Sequence, residues 1–266
     1  MRALLSVLYA LSAYLAFSAT LLWFIGFSGN LVVPRSVDAG GAAAPWPAAL
    51  VDDALLIVLF GVQHSVMARR GFKQWWTRLV PQIVERSTYV VASSLVLAAL
   101  MALWQPIAAP VAWRVEGPAA GVLWAVFGIG WAIVAISTFL LDHFELFGLR
   151  QAFSALVGRA APAMEFRTPL FYRHVRHPLY LGFLVTFWSV PVMTAGHLLL
   201  SLGMSAYILV GIAFEERDLI AGLGDTYRTY RAEVPAVIPG LWARRARNEA
   251  QATEQGHLAR KEEQAA

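Results

Sequence analysis

FYRHVRHPLYLGFLVTFWSVPVMTAGHLLLSLGMSAYILVGIAFEERDLIAGLGDTYRTYRAEVPAVIP, residues 171–239, decides how this chain is read. It opens on a basic run with two histidines, His174 and His177. It then enters a long apolar region broken only by VPVMTAGH, 190–197. It leaves that region on FEERD, 214–218, and GLGDTYRTYRAEVPAVIP, 222–239. The stretch between about 178 and 214 is long enough, at 1.5 Å rise per residue, for two short spans of ~17 residues joined near Thr194–Gly196. A hairpin that only anchors needs no charges pressed against both of its ends. Two histidines and the pair Glu215–Glu216 at one membrane boundary point instead to a site for a small zwitterionic ligand.

Composition sets the class. Hydrophobic residues make up 58% of the 266 and charged ones 14%, with a mean hydropathy of +0.57; this is a membrane protein rather than a soluble core. Ten tryptophans and eight tyrosines suit rings at headgroup level. With no cysteine, disulfides, thiolate catalysis and cysteine-held metals are excluded. The net charge of +4 comes from basic residues in short loops between apolar segments. Their counter-charge is therefore anionic lipid, not nucleic acid.

Taken outward from the hairpin, the apolar segments predict an all-α, polytopic protein. Helices are expected at about 4–27, 51–68, 88–108 and 119–141, with the hairpin in the fifth position, giving six spans. The N-terminal segment is longer than a signal core and lacks a small-residue cleavage site, so it reads as a retained helix. ARRGFKQWWTRLVPQIVERS, 68–87, reads as an interfacial amphipathic segment. APVAWRVEGP, 109–118, reads as a short loop. Residues 1–240 form one expected domain, with its ligand site in 171–240; residues 241–266 read as a charged, disordered tail. With the N-terminus inside, nineteen Lys and Arg face inward and only Arg35 and Arg114 outward. The positive-inside rule then places both termini in the cytoplasm, at the inner membrane of the cell.

That topology gathers polar groups at one face. His64 ends the second helix; Glu85 and Tyr89 begin the third; Asp142, His143 and Glu145 end the fourth; His174, His177, Glu215 and Glu216 flank the hairpin. Ionised groups facing lipid are costly, so these line a shared cavity or lie at the headgroups. Each also has a plain structural reading: His64 as an interhelical histidine, Asp142 as a helix cap. Because adjacent helical residues point about 100° apart, one of Glu215 and Glu216 can face a cavity while the other pairs with a base. His174 and His177 lack an HExxH context, and Pro178 follows immediately, so no metal site is expected. No GxGxxG or GxxxxGK[ST] loop is present.

RHPLYLG, FEERDL and GDTYRTYRAEVPAVIP together resemble the signature of the membrane methyltransferase superfamily. That group includes the isoprenylcysteine carboxyl methyltransferases, phospholipid N-methyltransferases and NnrU-like proteins. Upstream, GVQHSVMAR, FKQWWTRLVP, ERSTYV, LWQP and LDHFELFGLRQ resemble the bacterial methanethiol S-methyltransferase family and carry the likeness over most of 50–240. The resemblance implies S-adenosyl-L-methionine near the cytoplasmic face. It implies cofactor contacts at Arg176, His177, Pro178, Tyr180 and Gly182, then at Glu215 and Glu216. Tyr227 and Tyr230 follow in the third part, with Gly224, Val234 and Pro235. Arg176 or His177 can meet the methionyl carboxylate and a glutamate the ammonium; Gly182 permits close approach; a tyrosine can flank the adenine or ribose.

The reaction implied is an in-line SN2 transfer to a small thiol, methanethiol, giving dimethyl sulfide. Base candidates for the thiol are His143, His64 and Asp142, with His143 ahead because Asp142 could set its tautomer. The same resemblance leaves two alternatives open: methylation of a lipid amine or carboxylate, and a non-catalytic accessory role in nitrogen-oxide metabolism. Beyond the thiol and membrane lipids no partner is implied.

Overall fold

The structure, a computed structural model, describes residues 1–41, 44–159 and 166–239. The expected tail at 241–266 lies outside them. Five of the described helices are long and apolar enough to cross a membrane: α1 (Arg2–Ser28), α2 (Trp46–Ala68), α4 (Gln82–Leu103), α5 (Gly117–Leu140) and α9 (Ala195–Leu223). Between and after them lie α3 (Arg70–Trp76), α6 (His143–Leu146), α7 (Leu149–Leu156), α8 (Pro178–Trp188) and α10 (Asp225–Glu233). The protein is an all-α, multi-pass membrane protein, as the apolar pattern predicts.

Boundaries moved where proline sets them. The third apolar helix, expected at 88–108, runs Gln82–Leu103 because Pro81 caps its start. Having no N–H to leave unpaired, proline suits a helix N-terminus. The second helix likewise begins at Trp46 behind Pro45 rather than at 51. The basic loop 68–87 contains α3, whose Phe72 and Trp76 rings stack at 5.8 Å.

The hairpin arms are unequal, which corrects the expectation of two spans of similar length. The outgoing arm is helical only over the 11 residues of α8, about 16 Å. Beyond it the chain continues through a non-helical segment, 189–191, into the short strand β2 (Val192–Thr194), while the return arm is a full helix from Ala195. Extended chain inside a bilayer needs its backbone groups paired, and here the presumed loop at 109–118 supplies the partner. Strand β1 (Val111–Arg114) pairs antiparallel with β2 (Val192–Thr194), Val111 opposite Thr194 and Arg114 opposite Val192. Val115 N–H donates to the Pro191 carbonyl at 2.8 Å, Ala195 N–H to Pro110 at 2.9 Å and Gly196 N–H to Ile107 at 2.9 Å. Trp113 Nε1 and Ser201 Oγ donate to the carbonyls of Val190 and Phe187.

A continuous aromatic core runs through the bundle: Phe24, Phe27, Trp104, Phe127, Trp131 and Phe187 are all buried around Met193 and Leu200. Helices α5 and α8 are pressed together at glycines. A Cβ on Gly182 would lie 2.7 Å from the Gly130 carbonyl oxygen, and one on Gly130 only 2.4 Å from Thr186 Oγ1. Helix ends fall into two sets. Tyr9 bonds Thr88, Tyr14 bonds His143 and Arg69 pairs with Asp218 at one end. Asp53 accepts from the Gln105 N–H and Trp104 Nε1 donates to the Val37 carbonyl at the other. Some of the polar groups expected to share a face do meet: Tyr89 bonds the His64 carbonyl, and His177 lies beside Glu215 and Glu216.

Candidate active site

The signature residues converge on a buried charge pair. Arg176 donates to Glu216, Nε to Oε1 at 2.7 Å and Nη2 to the same oxygen at 2.5 Å. Arg176 also donates to the carbonyls of Val234 and Arg231. His177 Nε2 lies 3.2 Å from Glu216 Oε1, and Arg231 Nε 3.1 Å from Oε2. Glu216 is therefore surrounded by three basic side chains, the arrangement that lets a carboxylate stay ionised out of water.

Local backbone structure makes this possible. The N–H groups of Arg176 and His177 donate to the carbonyls of Pro235 and Ala236. The first and third parts of the signature are thus stitched together before either meets α9. Pro178 then starts α8 at its first turn, where a missing N–H costs nothing. Gly224, at φ +58° between α9 and α10, allows a turn that side-chain-bearing residues resist. That turn brings Tyr227 and Tyr230 back over the hairpin.

Glu215 differs from its neighbour. Its side chain is 42% exposed against 8% for Glu216. It accepts from the Tyr180 hydroxyl at 2.9 Å and lies 3.8 Å from His177 Nδ1. One glutamate pairs with bases while the other keeps an open side.

Beside it, Phe166, Tyr227 and Tyr230 form a cluster of rings with centroids 5.4–6.0 Å apart. The Tyr230 hydroxyl donates to the Tyr172 carbonyl at 2.6 Å. Tyr227 is 1% exposed, and its hydroxyl has no protein partner. Burial, then the Glu216 charge, raises the Tyr227 pKa, and burial lifts Tyr230 to about 12; both phenols are donors at neutral pH. Gly182 is turned toward α5, as its Cβ contacts require, so close approach there serves helix packing.

The upstream candidates separate. His143 Nδ1 lies 2.8 Å from Thr138 Oγ1, and Nε2 lies 2.9 Å from the Tyr14 hydroxyl. Thr138 already gives its single hydrogen to the Ala135 carbonyl. It must accept from His143, which fixes the Nδ1–H tautomer and leaves Nε2 accepting from Tyr14. Desolvation lowers the His143 pKa, in keeping with a neutral ring stacked on Phe139 at 4.2 Å. Asp142 does not orient it: its carboxylate caps α6 through the Glu145 N–H and pairs with Arg150.

His64 lies elsewhere, its ring 5.4 Å from Phe60, 5.1 Å from Tyr89 and 6.1 Å from Tyr207. Among the described residues no three His, Asp or Glu side chains gather as metal ligands. His174 is exposed.

Comparison with known proteins decides the family. The chain is 53% identical over 239 residues to methanethiol S-methyltransferase 2 of Bradyrhizobium diazoefficiens, covering 90% of this chain and 92% of that one. It is 51% identical to the methanethiol S-methyltransferase of Mycobacterium tuberculosis, covering 90% and 98%. The chain belongs to the methanethiol S-methyltransferase family. Membership makes it a methyltransferase, whose reaction takes a methyl donor. More distantly, it is 29% identical to Nurim of Bos taurus over 82% of its length. No family model matches the chain, and no solved structure matches it.

Several residues of this candidate site carry no assignment in the sequence reading. Arg231 and Tyr172 lie inside the motifs but have no assigned role there. Phe166 had no local signal. Tyr207 had one, as a lone tyrosine in an otherwise apolar stretch of α9.

Proposed function

We propose that this protein transfers the methyl group of S-adenosyl-L-methionine to methanethiol, releasing dimethyl sulfide. Identity of about one residue in two with methanethiol S-methyltransferases, over nine-tenths of the chain, carries the reading. It leaves the lipid-methylating and accessory-protein alternatives without support of comparable strength.

The chemistry of the hairpin end fits the donor. The unpartnered, buried Tyr227 hydroxyl and the rings of Phe166 and Tyr230 suit a purine and ribose. The open side of Glu215 suits an ammonium, with His177 and Arg176 beside it for a carboxylate. Glu216 fixes those two bases in place, and Tyr180 holds Glu215. When bound, S-adenosyl-L-methionine supplies an electrophilic methyl group on a sulfonium. The protein's part is to align it with the thiol sulfur and exclude water, since two reactants held in line gain much of their rate from position alone.

Purified protein given labelled donor and methanethiol should release labelled dimethyl sulfide into the headspace. Absence of that product, with the label appearing instead on lipid, would overturn the reading. The nineteen-to-two division of Lys and Arg supports an inner-membrane placement with both termini and the hairpin site in the cytoplasm. Reporters fused at Ala44 and Ala246 should then give opposite signals, and matching signals would reject that orientation.

A further inference from the structure

We infer that His64 is the base that binds and deprotonates the thiol, in an acceptor pocket walled by Phe60, Tyr89 and Tyr207. The inference rests on the methanethiol reading above and names the residue that touches the acceptor.

Three observations carry it. First, His64 Nδ1 is buried with no hydrogen-bond partner; a buried polar atom left unpaired calls for a ligand or a reason. Second, its surroundings are aromatic on three sides, α2 giving Phe60, α4 giving Tyr89 and α9 giving Tyr207. Such walls suit a methylthio group, because sulfur and methyl both favour ring faces and edges. Third, this aromatic cluster adjoins the hairpin site. Tyr207 and Tyr89 are both within electrostatic range of Tyr180, and Tyr207 of Glu215, while Tyr180 bonds Glu215 directly. His143, by contrast, has both ring nitrogens engaged and stands against α1 rather than this cluster.

The protonation balance is simple. The S–H bond of methanethiol breaks, its proton passing to His64 Nδ1. The sulfur lone pair forms the new C–S bond as the carbon–sulfonium bond breaks, that electron pair staying on the leaving sulfur. The imidazolium then gives its proton to water. Other charged or titratable groups around the pocket are Tyr89 and Arg86 on α4, Tyr207, Glu215 and Asp218 on α9, and Arg69 beyond the end of α2. The hydroxyl of Tyr89 donates to the His64 carbonyl at 3.3 Å, steadying the helix rather than occupying the ring.

The test compares wild type with H64Q and H64N for methanethiol and for the more acidic 2,2,2-trifluoroethanethiol across pH. Donor affinity is taken in parallel by calorimetry. For methanethiol at neutral pH the variants should lose about 10²-fold or more in kcat/KM and keep donor affinity. That loss should shrink at least about tenfold with the acidic thiol, which needs less help from a base. Without any donor present, methanethiol should shift a histidine ring-nitrogen signal in ¹⁵N-labelled wild type that is missing from H64Q.

Wild-type activity with undiminished H64Q rates overturns the assignment alone. A wild type that releases no dimethyl sulfide overturns the methanethiol reading and this assignment together. If neither variant folds, wild type decides: identical pH profiles for the two thiols, or no ring-nitrogen shift, reject the role.

Discussion

Arg176 and Glu216 meet at 2.5 Å with both side chains 8% exposed, 40 residues apart in sequence. This contact ties the start of the hairpin to the far end of its return arm. Removing Glu216 leaves the buried Arg176 without its carboxylate, whereas removing Arg176 leaves Glu216 still held by Arg231 and His177. E216L should lose about 3–5 kcal/mol of stability and R176M less, and the double variant clearly less than their sum. Denaturant melts in detergent check this; strict additivity would show that the two side chains do not depend on one another.

Tyr227 presents a buried hydroxyl to nothing in the protein. Y227F should therefore leave the donor-free melting temperature unchanged or slightly higher, since an unsatisfied group is lost. Affinity for S-adenosyl-L-methionine should fall about 5–10-fold, the worth of one hydrogen bond near 1 kcal/mol. Calorimetric titration reads both effects apart. A stability loss with unaltered affinity would assign the hydroxyl to the fold.

Gly182 faces the backbone of α5, where a Cβ would sit 2.7 Å from the Gly130 oxygen and 2.9 Å from the Val134 nitrogen. G182A should push the two helices apart and cost about 1–3 kcal/mol, as overpacking does. The measurement is a thermal melt in detergent. Normal stability combined with lost donor binding would instead place the glycine against the ligand.

His143 gives a pH prediction. Its native pKa lies below the ordinary histidine value of 6.5 through desolvation. The native state thus resists the proton that the unfolded chain accepts. Its contribution to stability is complete above the unfolded value and declines as pH falls toward the native one. H143F should flatten that acid-side decline while leaving the pH dependence of turnover close to wild type. If turnover at neutral pH drops by orders of magnitude in a folded H143F, His143 is part of the chemistry after all.

Much of the fold was legible because membrane insertion reads composition locally. Segments of α1, α2, α4, α5 and α9 are apolar along their length, and lipid contact needs no particular neighbour. The interruption at VPVMTAGH was legible as a break. Its conversion into β2 was not, because an extended segment is tolerated only when paired, and its partner β1 lies between two other helices. The short α8 goes with the same pairing: the chain leaves the helix at Trp188 and enters β2 at Val192.

The site divides along the same line. Clustering of Arg176, His177 and Glu216 could be anticipated from three linked motifs flanking one hairpin, since a turn forces their approach. Which of His143 and His64 keeps an unpaired ring nitrogen could not. Asp142 adjoins His143 in sequence, yet its left-handed backbone, φ 85°, and its pairing with Arg150 turn it to other work.

By itself, then, the sequence determined which segments are apolar enough to enter the membrane, where basic and acidic groups flank them, and where the candidate hairpin site is expected. All three depend on solvation, a property each segment holds independently of its neighbours. Tertiary structure alone decided which glutamate is enclosed by bases, which phenol is left unpartnered and which of His64 and His143 keeps an unpaired nitrogen. Those outcomes depend on how each helix is rotated against segments distant in the chain, and a hydrogen bond is made or lost within a fraction of an ångström.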